Sequence, residues 1–329
     1  MVRLSGLLVA LGMIVSAPAR AEKITIMVGG IEKQIYLPAK LAEQLGYFKE
    51  QGLDVELLTE PAGVQAENAM LAGEVQGVVG FYDHSIDLQS KGKFVESIVQ
   101  FSQAPGEVEL VSAKVADKVR SPADFKGKHL GVTGLGSSTS FLTQYLAVKN
   151  GVKIGEFVMI PVGAGSTFIA AIQQGKIDAG MTTEPTVSRL LKTGEAKVLV
   201  DLRSLATTTA ALGGPYPAAC LYAQASWVDK HKPEAQKLAN ALVKTLRFIH
   251  DHPAAEIADK MPKDYYAGDK EMYVRALADG KDMFTADGVM PDKGPETVLQ
   301  ILALSNKALQ SKKIDLAKTY TTEFARAAK

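Results

Sequence analysis

The chain reads as an α/β protein of two lobes, each a sheet covered by helices, joined by a two-strand hinge and followed by a helical tail. Three observations predict this. Strand-like and helix-like segments alternate through the first two-thirds of the 329 residues. Two further strand patterns, at 107–113 and 218–223, fall where that alternation breaks and read as crossovers between lobes. From residue 226 onward no third sheet pattern occurs, and Leu238, Leu242, Leu246 and Ile249 mark one face of a long helix.

The elements follow in order. Residues 23–28 alternate through Ile24, Ile26 and Val28, the period of a strand. Residues 36–45 set Leu37, Leu41 and Leu45 on one helical face, with Gly46 as the C-cap. A strand at 55–58 follows Gly52, and a helix at 64–71 stops at Gly73. An apolar strand at 75–82 closes on Asp83 and His84; a helix at about 85–89 and a strand at 95–101 complete the first unit. The second unit opens at Ser121-Pro-Ala-Asp124, a helix-start signal. Strands are expected at 130–133, 157–162, 177–181 and 196–200, with helices from 137, over 166–173 and over 184–191. The loop Gly213-Gly-Pro-Tyr-Pro217 then leads into the return strand. These patterns place lobe 1 at 22–108 plus 224–329 and lobe 2 at 109–223, with the ligand cleft between them.

The N-terminus bears on compartment. A basic start at Arg3, an apolar run over 4–17 and Ala19-Arg20-Ala21 form a secretory signal at 1–21, cleaved after Ala21. No cysteine lies near the cut, so no lipid anchor is expected, and the mature chain is expected in the periplasm. Loss of Arg3 and Arg20 from 37 basic residues, against 36 acidic ones, leaves a formal charge of −1. That balance argues against nucleic acid as a partner. Cys220 is the single cysteine, so no intramolecular disulfide forms.

Residues 128–146 carry the strongest chemical signal. A strand runs into Gly134 and Gly136, and Ser137, Ser138, Thr139 and Ser140 open a helix bearing Phe141, Leu142, Tyr145 and Leu146. First-turn amides lack intrahelical acceptors and carry the positive end of the helix dipole, so the turn suits a small anionic group. No lysine follows as a P-loop requires, and the third glycine of a dinucleotide fingerprint is missing. An ordinary helix cap is the plain alternative.

With these elements in order, the chain resembles the periplasmic solute-binding proteins of ABC importers, sulfonate/taurine/nitrate-type, a group that includes binders of thiamine-pyrimidine precursors. The likeness rests on Tyr36-x-Pro38 through Gly46, Gly52 and Glu56; on Ala69-Met-Leu-Ala-Gly73; on Asp124 through Gly131 with Gly136-Ser-Ser-Thr139; and on Ala170 through Ala179 with Glu184-Pro185. It implies a type II binding-protein topology and a discontinuous first lobe. It also implies a monomer that takes a small-molecule ligand, closes by hinge bending and docks on a membrane permease. Two segments depart from the group. Gly29-Gly-Ile-Glu-Lys-Gln34 stands where thiamine-precursor binders show a Trp-rich motif, and Phe81-Tyr-Asp-His84 adds rings, a carboxylate and an imidazole.

The ligand set expected from this reading is Gly136, Ser137, Ser138 and Thr139 for a sulfonate or carboxylate, with Gly136 allowing close approach. Glu184 would accept from an amine or ring N–H, or else serve as the first acid of a helix. Asp83 and His84 would enter the cleft from a strand end, or else cap a helix and stand in solvent. Tyr82 or Phe81 would stack on an organic ligand, Lys33 and Gln34 would close over it, and Tyr216 would act as a lid. Tyr36 is expected within the first lobe. The five histidines show no metal-ligand spacing, the serines sit in no nucleophile elbow, and no cofactor is expected. The function expected is capture of a small organic anion for import. The alternatives are a periplasmic enzyme or sensor on the same scaffold, or a pyrimidine binder.

Overall fold

The structure, a computed structural model, describes residues 23–266 and 268–329. The expected signal segment and its cleavage site lie outside the described residues. Among the described residues, no helix is long and apolar enough to cross a membrane.

The first sheet is built from β1 (Lys23–Val28), β2 (Asp54–Thr59), β3 (Gly77–Phe81) and β4 (Val95–Gln100). Helices α1 (Leu37–Gln44), α2 (Tyr47–Glu50), α3 (Gly63–Leu71) and α4 (Asp83–Ser90) lie between them. The second sheet holds β5 (Glu107–Ser112), β6 (His129–Val132), β7 (Val158–Pro161), β8 (Ala179–Thr183) and β9 (Ala196–Leu202). Its helices are α5 (Ser138–Lys149), α6 (Ser166–Gln173), α7 (Thr186–Lys192) and α8 (Leu205–Leu212). Strand β10 (Ala219–Gln224) then returns to the first sheet, whose order is β2-β1-β3-β10-β4, while the second runs β7-β6-β8-β5-β9.

Each sheet therefore holds one antiparallel strand. β10 runs antiparallel to β3 and β4, and β5 runs antiparallel to β8 and β9. The expected lobe boundaries at 108 and 223 shift at both crossovers: pairing puts residues 107–108 in the second sheet and residues 219–223 in the first. The reason is physical: Cys220-Leu-Tyr-Ala223 is buried on both faces and fills the interior position between β3 and the edge strand β4. The connections between the lobes are the short segments on either side of these strands. They hydrogen-bond to each other, Tyr216 N to Gln103 O at 3.1 Å and Ala218 N to Ser102 O at 3.2 Å, forming a two-stranded hinge.

The C-terminal region continues as α9 (Ala225–Lys230), α10 (Lys232–Asp251), α11 (Ala254–Lys260), α12 (Lys270–Gly280), α13 (Gly294–Ser305), α14 (Lys307–Ser311) and α15 (Glu323–Arg326). The stripe read from the sequence holds: Leu238, Leu242, Leu246 and Ile249 of α10 are all buried. Helix α13 reaches beyond the first lobe, because Val298, Ile301 and Leu302 share an apolar cluster with Leu142, Tyr145 and Leu146 of α5. Helix α8 was not expected from the sequence. It is set by a capping box in which Ser204 and Thr207 satisfy each other's backbone amides.

Candidate functional site between the lobes

Loops at the carboxyl ends of the strands bring the two lobes together. The turn Gly134-Leu-Gly136 rises from β6, and the positive φ of Gly136 lets α5 begin at once. Ser137 is the N-cap residue, and its hydroxyl accepts from Val64 N at 3.2 Å, in the first turn of α3 on the other lobe. Two helix starts thus meet across the interface. A second tie runs from Gln34 N to the Glu184 carbonyl at 3.1 Å. Ser137, Ser138 and Thr139 are buried, so the start of α5 faces the other lobe, while Leu135 at the tip of the turn stands in solvent.

The hydroxyls there are already engaged. Thr139 Oγ1 accepts from Thr133 N at 3.0 Å, which closes the turn, and Ser138 Oγ donates to Glu107 Oε1 at 2.8 Å. Of this set, only the first-turn amides of Ser138 and Thr139 remain suited to an incoming anion. Glu107, missed in the sequence reading, opens β5. Alternation along the strand puts Glu107 and Glu109 on one face, beneath α5, where Thr143 serves Glu109 at 2.8 Å. Acids two apart in an otherwise apolar strand were the available signal.

Asp83 comes from the other lobe, at the start of α4 after β3. It is fully buried, and Tyr216 donates its hydroxyl to Asp83 Oδ2 at 2.8 Å. Burial pushes the Asp83 carboxyl up to about 6 and that of Glu107 up to about 8, the charge of Asp83 adding to the latter. Asp83 Oδ1, Glu107 Oε2 and Thr183 Oγ1 have no partner. Thr183 stands directly opposite Glu107 in the β5–β8 register, on the same face.

Cationic groups surround this cluster without pairing to it. Lys33, expected to close over the ligand, is buried, and its ammonium donates to the carbonyls of Gly29 at 2.6 Å and Pro61 at 3.2 Å. Burial lowers its pKa to about 8. His84 is also buried, contrary to the solvated alternative, with Nδ1 bonded to Glu67 Oε2 at 2.5 Å. Burial opposes its charge, yet Glu67 outweighs this and raises His84 to about 9. Its ring lies against Phe141 of α5, and Nε2 crowds the start of α3 at Gly63.

The remaining expectations divide. Tyr216 is a fully buried partner of Asp83, not a lid. Tyr36 packs in the first lobe, edge-on to Phe81. Tyr82 turns instead to the C-terminal segment, its hydroxyl bonded to Thr319 at 2.5 Å. Gln34 spends its side-chain amide on Tyr273 O at 3.0 Å. Glu184 accepts from Ser188 N and Arg203 Nη1, each at 2.9 Å, so its carboxylate serves the first turn of α7 and an ion pair. Open pockets of about 700 and 420 Å³ lie elsewhere, and none of the expected ligand residues lines either. Among the described residues, no group of three or more His, Cys, Asp or Glu is placed to hold a metal.

Two α/β lobes joined by paired crossovers, with buried polar groups where they meet, have the periplasmic-binding-protein fold. Residues 36–256 match the NMT1/THI5 like family, and the chain belongs to it. A solved structure from Bordetella bronchiseptica RB50 is 37% identical, with TM-score 0.89, over 93% of this chain and 96% of that one. The alkanesulfonate-binding protein SsuA from Xanthomonas axonopodis pv. citri, bound to MOPS, is 18% identical with TM-score 0.73, over 92% and 99%. A 4-amino-5-hydroxymethyl-2-methylpyrimidine phosphate synthase of Saccharomyces cerevisiae is 27% identical over 165 residues. That alignment spans 50% of this chain and 46% of the length of the yeast enzyme.

Proposed function

We propose that this chain is the solute-binding component of an ABC importer, working in the periplasm. It captures a small organic solute between its lobes and presents the closed form to a membrane permease. One observation carries the reading: Asp83 Oδ1, Glu107 Oε2 and Thr183 Oγ1 are buried without partners in the region where the lobes meet. An unmade bond at a buried polar atom costs about 1–3 kcal/mol, and a solute held between the lobes would supply the missing bonds. The first-turn amides of Ser138 and Thr139, which have no acceptor within the helix, form the end of the site suited to an anionic group such as a sulfonate or carboxylate. The signal segment, the family and the printed name of the Xanthomonas relative support transport. The synthase name of the yeast relative belongs to a protein aligned over half of each chain.

Solution scattering tests this directly. Organic sulfonates, carboxylates and pyrimidines are screened by thermal shift, and scattering is recorded with and without each stabilising compound. Ligand should compact the molecule toward the structure described above, with the compound recovered unchanged. Stabilisation without compaction would contradict lobe closure, and consumption of the compound would mark an enzyme.

A further inference from the structure

The two carboxylates nearest the lobe junction come from different lobes, and each is half satisfied. Asp83 receives one hydroxyl, from Tyr216, and Glu107 receives one, from Ser138. Both donors are neutral. The second oxygen of each carboxylate is buried and empty, and Thr183 Oγ1 beside Glu107 is empty as well. The nearby cations are committed elsewhere, Lys33 to the carbonyls of Gly29 and Pro61 and His84 to Glu67. Asp83 lacks a second donor, and Glu107 can accept one once the proton that burial keeps on it passes to solvent; for such a pair the fitting donor is charged or polarised N–H.

We propose that the solute carries a nitrogen donor group, an ammonium, amidinium or amino-substituted ring, held between Asp83 of one lobe and Glu107 of the other. The inference rests on the receptor reading above and specifies it. A solute that bridges the lobes through this pair makes its second bond only when the lobes close, so the pair reads nitrogen and couples it to closure. A nitrogen-free sulfonate would meet the charge of Asp83, bring no donor to either empty oxygen, and lack the positive charge that lets Glu107 release the proton its burial retains.

Matched probes decide between these chemistries. Ethylammonium is compared with ethanesulfonate, and benzamidine with benzenesulfonate, by calorimetric titration of the full mature chain; 4-aminopyrimidine is titrated alone. At least one nitrogen probe should bind, tenfold or more tighter than its sulfonate counterpart where it has one. Glu107→Gln and Asp83→Asn should each weaken that probe tenfold or more, with circular dichroism confirming the fold. Failure of every nitrogen probe to bind, sulfonates binding as tightly, or unchanged affinity in both variants overturns the inference. Scattering separates the two levels: a sulfonate that binds and compacts the lobes overturns the nitrogen inference alone. Binding of either kind without compaction overturns the receptor reading with it.

Discussion

Glu107 holds its place through strand alternation, and its burial has a consequence that titration can read. A carboxyl raised from its ordinary value to about 8 keeps a proton in the folded chain that the unfolded chain loses near 4.5. Folding then binds protons between those values, so stability falls as pH rises through that window. His84 acts in the same direction, because a histidine raised from 6.5 to about 9 contributes stability below 6.5 that is lost as pH climbs through 9. Urea denaturation between pH 5 and 9 should show falling stability, and Glu107→Gln should flatten that slope. An equally steep slope in the variant would show that Glu107 is not held protonated. The sequence disclosed Ser137–Thr139 through a turn and a run of hydroxyls, and the structure sets them at the lobe interface. It did not disclose Glu107, because 107–113 reads as an apolar crossover and alternation alone does not tell which face is buried. The burial of Lys33 and His84, expected to close over the ligand and to enter the cleft or else stand in solvent, was not legible for a related reason: their partners, Pro61 and Glu67, lie on other elements.

At the scale of elements, the second sheet depends on a close approach that two glycines permit. Gly131 of β6 and Gly180 of β8 are registered partners, and a Cβ added at Gly180 would lie 2.5 Å from the Gly131 carbonyl oxygen. Backbone cannot swing aside as a side chain can. Gly180→Ala should therefore cost about 1–3 kcal/mol or more, as overpacking does. Gly131→Ala meets first the flexible end of Ile177, at 2.4 Å, and should cost less. Urea midpoints of the two variants check the order, and the reverse order would contradict this packing. The strands were legible because apolar residues and turn glycines bound them. Strand order was not, since β5 and β10 each insert antiparallel between the central strand and an edge strand of their sheets, a choice that long-range pairing makes. Helix α8 escaped notice because Thr207-Thr-Thr209 lowers helix propensity, and only the Ser204–Thr207 cap rescues it.

Across the whole molecule, the two lobes pack around buried polar groups that no residue of either lobe satisfies completely. The two-lobed plan was legible from the repeated α/β rhythm and the two interruptions in it. The reach of α13 onto α5 was not, because an amphipathic tail helix does not declare which face of the protein it covers. This packing braces the helix whose first turn meets the other lobe. An ion pair between Lys192 of α7 and Asp269, the N-cap of α12, adds a further tie between the second lobe and the C-terminal helices. A crystal structure of the mature chain with a stabilising solute tests the central claim most directly. Solute density should lie between the lobes, within hydrogen-bonding distance of Glu107 and Asp83. Density confined to the 700 Å³ pocket beside α10, with the lobe junction unchanged, would contradict it.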